Sequence, residues 1–235
     1  MILYGRNPVR EALRGRRRVL RAWAAAELDW LVGVDIERVE VRQVEELCGS
    51  PDHQGVCAEA EPYPYANPED LLTAEDALVV CLDQIQDPQN LGAVCRVAEA
   101  AGAAGVVIPE RRAAEVTPAV CKASAGAVEH LPVARVRNLA DWLATAKEAG
   151  AWVYGASADA RVGYDEPDWS GRAVIVLGSE GQGIRPRVAD ACDELVSLPM
   201  DGRVASLNVS TAAAALLYGV RLLRNGRDLS SRPGP

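Results

Sequence analysis

The segment Ser206-Leu207-Asn208-Val209-Ser210 ends a short apolar strand and opens a long Ala- and Leu-rich helix near the carboxyl end of the chain. Two earlier segments, 87–96 and 177–183, have the same layout: an apolar strand, then polar and Gly-rich residues, then a helix. Open parallel α/β sheets bind their ligands outside the carboxyl ends of the strands. The three loops are therefore predicted to form one composite site.

Strand and helix signals alternate from about residue 74 to 226. The strands are predicted at 77–82, 105–108, 151–156, 173–177 and 195–198, and the helices at 91–101, 118–124, 139–149, 186–192 and 209–224. These strands are too continuously apolar for a sheet with one face in water, so both faces should be buried. The pattern predicts a parallel α/β sheet covered by helices.

A smaller unit precedes this region. Residues 61–68 hold three prolines in eight positions, which neither a helix nor a central strand tolerates. We therefore predict four parts: a small domain at 1–61, a linker at 62–73, the α/β domain at 74–226 and a disordered tail at 227–235. In the small domain, Asn7 and Pro8 should start a helix that Gly15 ends, and further elements are expected as strands at 18–22, 39–42 and 55–60 and a helix near 44–48.

Charge is unevenly distributed along the chain. The net charge is −8, yet the first 21 residues contain seven arginines and a single acidic residue, Glu11. Such a patch can bind phosphates locally, because electrostatic interactions decay over about 8 to 10 Å at physiological salt. A solvated helix face explains the same charges, and charge alone does not decide between the two. The candidate RNA-binding residues are Arg6, Arg10, Arg14 and Arg17.

Several classes of protein do not fit the composition. The six cysteines include no C-x-x-C pair and the chain has two histidines, so we expect reduced, buried thiols and neither a metal site nor a disulfide framework. No apolar run approaches the roughly 18 residues of a membrane helix, and the first residues lack the pattern of a secretory signal. A cytoplasmic protein without a membrane partner is expected.

The first two loops contain the charged candidates. Asn90 lies at the start of a helix, and Arg96 should project opposite the apolar face of that helix. There Arg96 is either an ordinary surface arginine or a residue whose planar guanidinium binds a phosphate. In the second loop, the glycines at 178, 181 and 183 permit positive φ and close approach to a ligand. The loop matches neither a Walker motif nor G-x-G-x-x-G. Glu180 in this loop is either a turn residue or functional.

The third loop adds polar and apolar candidates. Ser206 and Asn208 precede the last helix, and Asn208 is a natural N-cap. Leu198 and Leu207 could clamp the apolar or aromatic part of a ligand.

These three segments resemble the signature motifs of the SpoU-type RNA 2′-O-ribose methyltransferases, the TrmH family within the SPOUT superfamily. The resemblance rests on Asn90 with Arg96, on the run Gly178-Ser179-Glu180-Gly181 and on the run 206–210. The segments 4–9 and 53–56 resemble the L30e-like RNA-binding domain of the branch that methylates a guanosine of 23S ribosomal RNA. The resemblance implies an α/β-knot domain with a trefoil knot, preceded by this small α+β domain, and it implies a homodimer.

The resemblance also implies a cofactor and site residues. The cofactor is S-adenosylmethionine, and its binding residues are expected to be Gly178, Gly181, Leu198, Met200, Leu207 and Ser210. The catalytic or RNA-positioning residues are expected to be Asn90, Arg96, Glu180, Ser206 and Asn208. A transfer RNA substrate is the alternative within the family, and a non-catalytic RNA-binding protein is the alternative of another class. A dinucleotide-dependent oxidoreductase is disfavoured, because no G-x-G-x-x-G turn follows the first strand.

Overall fold

The computed structural model describes residues 1–203 and 206–230, apart from the side chains of 227–230. Its amino-terminal part is a four-stranded sheet in the order β1-β4-β2-β3, in which β2 and β3 are parallel and the other pairs antiparallel. The elements are β1 (Ile2–Tyr4), α1 (Arg6–Arg14), β2 (Val19–Ala24), β3 (Asp35–Arg38), α2 (Val41–Cys48) and β4 (Val56–Ala60).

Two predictions in this part are wrong. The strand predicted at 39–42 is instead the start of α2, because Glu40 and Gln43 form a capping box that begins a helix there. Asn7 does not cap α1, which begins two residues earlier than predicted, at Arg6, with Gly5 as its N-cap; the Asn7 side chain accepts a hydrogen bond from Arg10. The predicted end at Gly15 is confirmed.

The larger sheet has seven strands, all parallel, in the order β7-β6-β5-β10-β8-β11-β9. Its strands are β5 (Leu78–Asp83), β6 (Gly105–Pro109), β7 (Val133–Val136), β8 (Trp152–Ala156), β9 (Val162–Gly163), β10 (Ala173–Gly178) and β11 (Glu194–Ser197). The central strands are buried along almost their whole length, as their continuous apolar sequence predicts. The sequence pattern missed β7, whose apolar run is interrupted by Arg135, and β9, which has only two residues.

Helices cover this sheet at α3 (Pro88–Ala100), α4 (Pro118–Ala123), α5 (Leu139–Glu148), α6 (Pro186–Ala189) and α7 (Val209–Ser230). The last helix corrects the predicted disordered tail at 227–235, because α7 continues through Ser230. No proline occurs between 227 and 230 to stop it. Residues 231–235 lie outside the described part of the chain.

A buried ion pair joins the two sheets. Arg17, just after α1, donates from Nε to Oε2 of Glu129 at 2.9 Å, and both side chains are 1% exposed. Nearby, Tyr63 Oη donates to the carbonyl of Val128, and Lys122 Nζ donates to the carbonyl of Asp52. The prediction that Arg17 binds RNA is therefore wrong. Its guanidinium is buried, pairs with Glu129 inside the protein and does not face solvent.

All six cysteines are free thiols, four of them buried. Burial raises the pKa of Cys57 and Cys95 to about 12. Cys48 and Cys192 are only partly buried, which corrects the prediction that every cysteine belongs to the core. Within residues 1–203 and 206–230, no helix is long and apolar enough to cross a membrane.

Candidate active site

A cleft of about 710 Å³ opens at the carboxyl edge of the seven-stranded sheet. Its apolar wall includes Leu177, Leu198, Met200 and Leu207, and its polar rim includes Glu180. Ligand pockets for small molecules typically enclose about 300 to 1,000 Å³ and combine an apolar lining with a few polar groups. The cleft therefore has the size and character of a site for an amphipathic small molecule.

Three side chains from the three predicted loops meet at this rim. Asn90, in the first turn of α3, donates from Nδ2 to Oε1 of Glu180 at 3.0 Å. Asn208 donates from Nδ2 to Oδ1 of Asn90 at 3.0 Å and also to Oε1 of Glu180. The hydrogen bonds hold the carboxylate in one orientation and leave Glu180 Oε2 without a partner among the described residues.

Asn208 is oriented by the helix that follows it. Its Oδ1 accepts hydrogen bonds from the backbone N–H of Ser210 at 2.9 Å and from the Ser210 hydroxyl at 2.6 Å. Because a backbone N–H can only donate, the carboxamide oxygen must face α7 and the nitrogen must face Glu180. The same contact makes Asn208 the N-cap of α7, so helix capping and site geometry depend on one side chain.

The loop that carries Glu180 is closed by its own backbone. Ser179 and Gly183 exchange two backbone hydrogen bonds, at 2.9 and 3.1 Å. A Cβ at Gly178 would overlap the backbone of Gly183, whereas Gly181 and Gly183 have open space around them and φ of 80° and 65°. Glycine at 178 therefore leaves room for the backbone of Gly183 to close the loop. The glycines at 181 and 183 allow the positive φ angles that its turns require.

Asp83 and Arg185 attach the end of this loop to the sheet. Asp83, the last residue of β5, has no exposed surface, and its Oδ1 accepts from Arg185 Nε at 2.8 Å while its Oδ2 accepts from the Arg185 backbone N–H at 2.9 Å. Sequence reasoning missed both residues. The sequence signal for them was Asp83 itself, which ends the apolar run 78–83. A carboxylate buried at that position needs a hydrogen-bonding or charged partner.

Arg96 is not part of this cluster. It lies on the exposed face of α3, opposite buried Leu91 and Val94 as predicted, and makes no hydrogen bond or ion pair with any residue that the structure describes. Six residues after Asn90, its side chain is rotated by about 120° around the helix and displaced by about 9 Å along it. Within one chain, Arg96 therefore points away from Asn90 and makes no hydrogen bond to Glu180.

Most of the other predicted site residues border the cleft. The lining includes Gly178, Gly181, Leu198, Met200, Ser206 and Leu207. Ser210 does not border it and acts through Asn208. The prediction missed the loop after β8, where Ser157 and Asp159 also line the cleft. Its position after a parallel strand was the signal that could have identified it.

The remaining arginine candidates lie on α1. Arg6 and Arg14 are exposed and Arg10 is partly exposed. Arg10 and Arg14 both contact Glu11, at 3.2 and 3.4 Å. Arg6, Arg10 and Arg14 are therefore accessible to solvent, and Glu11 neutralises part of their positive charge. No group of three metal-binding side chains exists among the residues that the structure covers.

Comparisons with known proteins agree with this architecture. Residues 77–218 match the SpoU rRNA Methylase family, and residues 2–66 match the RNA 2′-O ribose methyltransferase substrate-binding family. A TrmH family tRNA/rRNA methyltransferase of Bacillus subtilis is 41% identical over 237 residues, which cover 94% of this chain and 95% of the relative.

Two solved structures are similar over nearly the whole chain. The SpoU methyltransferase AviRb from Streptomyces viridochromogenes, in complex with AdoMet, superimposes with a TM-score of 0.81 and 26% identity, covering 99% of this chain and 91% of its own. An AdoMet-bound rRNA methyltransferase from Sinorhizobium meliloti has a TM-score of 0.80 and 26% identity, covering 94% and 86%. The chain belongs to the SpoU rRNA methylase family and is an S-adenosylmethionine-dependent RNA methyltransferase.

Proposed function

We propose that this enzyme methylates a ribose 2′-hydroxyl of RNA, and that its target is a guanosine of 23S ribosomal RNA. The observation that carries the ribose chemistry is the hydrogen-bonded cluster of Asn90, Glu180 and Asn208 on the rim of the cleft. The match of residues 2–66 to a 2′-O ribose methyltransferase substrate-binding family supports it. The guanosine target rests on the resemblance of segments 4–9 and 53–56 to the L30e-like domain.

The residues of the cleft fit the cofactor. Leu198, Met200 and Leu207 would hold its apolar and aromatic parts, and loop 178–183 supplies backbone polar groups. The carboxylates of Glu180 and Asp159 border the same cleft and suit a ligand with a positive charge. When bound, S-adenosylmethionine supplies a methyl group on a sulfonium, which is electrophilic.

The nucleophile that attacks this methyl group is the ribose 2′-hydroxyl of the RNA, and the protein must activate it. A ribose hydroxyl attacks poorly while it keeps its proton, so a neighbouring acceptor has to hold that hydrogen. We propose that Glu180 Oε2, the unpartnered oxygen of the cluster, accepts it, while Asn90 and Asn208 fix the carboxylate through Oε1. Ser206, on the lining of the cleft, is proposed to help position the RNA.

Arg96 is proposed to bind the target phosphate and to stabilise negative charge on the attacking oxygen. An arginine side chain carries a planar cationic group that binds an anion through paired hydrogen bonds, which suits this role and not that of a base. Within one chain, Arg96 makes no hydrogen bond or ion pair with Glu180 or with any other described residue, which leaves its guanidinium available to a site on a second copy. We propose a homodimer in which Arg96 acts across the interface.

The outer faces of α3 and α7 support such an interface. The two helices pack side by side, and α7 exposes Tyr218 by 45% and Leu222 by 69%. Exposed apolar side chains next to each other favour a protein contact. Sedimentation equilibrium of a Leu222→Glu variant tests this: we expect a monomer with lost activity, and a fully active monomer would refute it.

The small domain is proposed to bind the RNA. Arg6, Arg10 and Arg14 would contact its phosphates. We also propose the domain arrangement given above, with the small domain at 1–61, the linker at 62–73 and the α/β domain at 74–226. The α/β domain is proposed to contain the trefoil knot that the resemblance implies. A cytoplasmic location follows from a ribosomal RNA substrate.

Incubation with labelled S-adenosylmethionine and either ribosomal or transfer RNA tests the proposal. Label in ribosomal RNA supports it, label confined to transfer RNA supports the alternative substrate, and RNA binding without label supports a non-catalytic protein.

A further inference from the structure

Three arginines at the carboxyl edge of the large sheet are not used by the site described above. Arg111 and Arg112 follow β6, and Arg137 follows β7. All three are exposed, and none has a hydrogen-bond or ion-pair partner among the residues described. Two neighbouring arginines differ: Arg135 pairs with Glu115 at 3.0 Å, and Arg187 pairs with Asp141 at 3.0 Å.

Arg111, Arg112 and Arg137 place three cations at one edge of the sheet without a carboxylate partner among the described residues. Acidic residues outnumber basic ones by 33 to 25, so carboxylate partners are plentiful. Cations placed near one another repel, and an anion between them removes that repulsion. Arg112 also has a φ of 58°, a left-handed conformation that costs a residue other than glycine of the order of 1 kcal/mol. The loop therefore exposes the charge of Arg112 on a strained backbone, and no hydrogen bond or ion pair of that side chain with a described residue offsets the strain.

Arg111 and Arg137 border a second cleft, and Arg112 lies beside it in sequence. This cleft encloses about 410 Å³ and is lined by Glu110, Arg111, Arg137, Asn138 and Asp141. Asn138 caps α5 by accepting from the Ala140 backbone N–H at 3.1 Å, so the positive end of the helix dipole adds to the two guanidinium groups. Asp141 is engaged by Arg187, which leaves Glu110 as the unpaired carboxylate of the lining.

The arginine loop is connected directly to the active-site loops. The backbone N–H of Ala114 donates to the carbonyl of Ile85 at 2.8 Å, which ties loop 110–117 to the segment that leads into α3 and Asn90. Strand β6 is the immediate neighbour of β5, and β7 follows it. At about 4.8 Å per strand, the arginines lie about 5 to 10 Å sideways from the strand that leads to Asn90.

We propose that Arg111, Arg112 and Arg137 form a phosphate-binding rim that holds the RNA strand beside the reacting nucleotide. The proposal rests on the proposed function. Guanidinium groups bind phosphodiesters through paired hydrogen bonds, and single-stranded segments are flexible enough to follow such a rim. The rim binds RNA without taking part in methyl transfer, so it controls affinity and register and not the rate of the bound complex.

The test compares two double variants of equal charge change. Arg111→Gln/Arg137→Gln removes the rim, and Arg38→Gln/Arg42→Gln removes two exposed arginines from the small sheet and α2. With protein-free large-subunit ribosomal RNA, the rim variant should raise KM for RNA about tenfold, with kcat within about twofold and an unchanged Kd for S-adenosylmethionine. The slope of log Kd for RNA against log salt should fall by about 1.4, at about 0.7 per lost phosphate contact. Arg111→Lys/Arg137→Lys should restore most of that slope.

Each outcome decides one claim. If the wild-type protein is active and the rim variant matches the Arg38→Gln/Arg42→Gln control in KM and salt slope, the rim proposal is wrong and the proposed function stands. If the wild-type protein methylates no ribose, the proposed function is wrong, and the salt slope of RNA binding still decides on the rim. A fall in kcat at saturating RNA would also overturn the proposal, because it would place the arginines in the chemistry.

Discussion

Asn208 Nδ2 lies 3.0 Å from Asn90 Oδ1, although the two residues are 118 positions apart. Both carboxamides also donate to Oε1 of Glu180, so one carboxylate oxygen receives two hydrogen bonds from two different loops. The site exists only when helix α3, the loop after β10 and the start of α7 are all in place, because Asn90 lies in α3, Glu180 in that loop and Asn208 just before α7.

Asn208 links the site to helix stability, and substitutions should separate the two roles. Asn208→Ser keeps a good N-cap but loses the amide donor, so the free energy of unfolding should change by less than about 0.5 kcal/mol. Methyl transfer should fall by about 10² to 10³. Asn208→Ala should lose the same activity and a further ~1 kcal/mol of stability. Urea unfolding and initial rates measure both, and a fully active Asn208→Ser enzyme would contradict the role of the amide.

Arg185 compensates the buried carboxylate of Asp83. Arg185→Ala leaves that carboxylate unpaired and fully buried, so it should destabilise the protein by about 3 kcal/mol and weaken cofactor binding by loosening loop 178–185. Arg187→Ala is the matched control, because the Arg187–Asp141 pair is exposed and should contribute less than about 1 kcal/mol. Equal unfolding midpoints for the two variants would show that the Asp83 contact is not structural.

Arg17 joins the two sheets through Glu129. Burial alone would lower the pKa of Arg17, but the hydrogen bonds and charge of Glu129 outweigh it and raise this pKa, so the pairing favours the charged guanidinium. Arg17→Ala should cost about 3 to 5 kcal/mol, whereas Arg21→Ala in an exposed pair should cost less than about 1. Adding Glu129→Leu to an Arg17→Met variant should recover part of the loss. No recovery in thermal melts would argue against the pairing.

Glu11 predicts a pH dependence of stability. Burial pushes its pKa up, but hydrogen bonds from His130 and Arg10 outweigh that and leave the pKa below its ordinary value of 4.5. The folded state therefore gains stability from this carboxylate above about pH 4.5 and loses the gain as the pH falls through the lower, folded-state pKa. Glu11→Gln should be less stable than wild type at pH 7, with the difference shrinking toward pH 3. A constant difference across this range would contradict the ion-pair network.

The sequence pattern predicted the positions of the site loops because they depend on local signals. Continuous apolar runs identify buried parallel strands, and polar residues after such runs must gather at one edge of the sheet. This argument is sufficient to place Asn90, Glu180 and Asn208 together at one edge of the sheet.

The failures of sequence reasoning involve partners that are distant in the chain. Arg17 looked like one more basic residue of an Arg-rich segment, because its partner Glu129 lies 112 positions away. Asp83 and Arg185 are 102 positions apart, and neither has a local motif. The position of Arg96 opposite the apolar face of α3 was predicted from local periodicity, and its role in the site stays a prediction.

The most direct test of the central claim is to locate the transferred methyl group. The protein is incubated with labelled S-adenosylmethionine and large-subunit ribosomal RNA, and the RNA is then digested to nucleosides for mass spectrometry. We predict a 2′-O-methylated guanosine formed by wild type and reduced about 10² to 10³-fold in Glu180→Gln, which keeps the loop but removes the carboxylate. A methyl group on a base, or an undiminished yield from Glu180→Gln, would contradict a site built from these three loops.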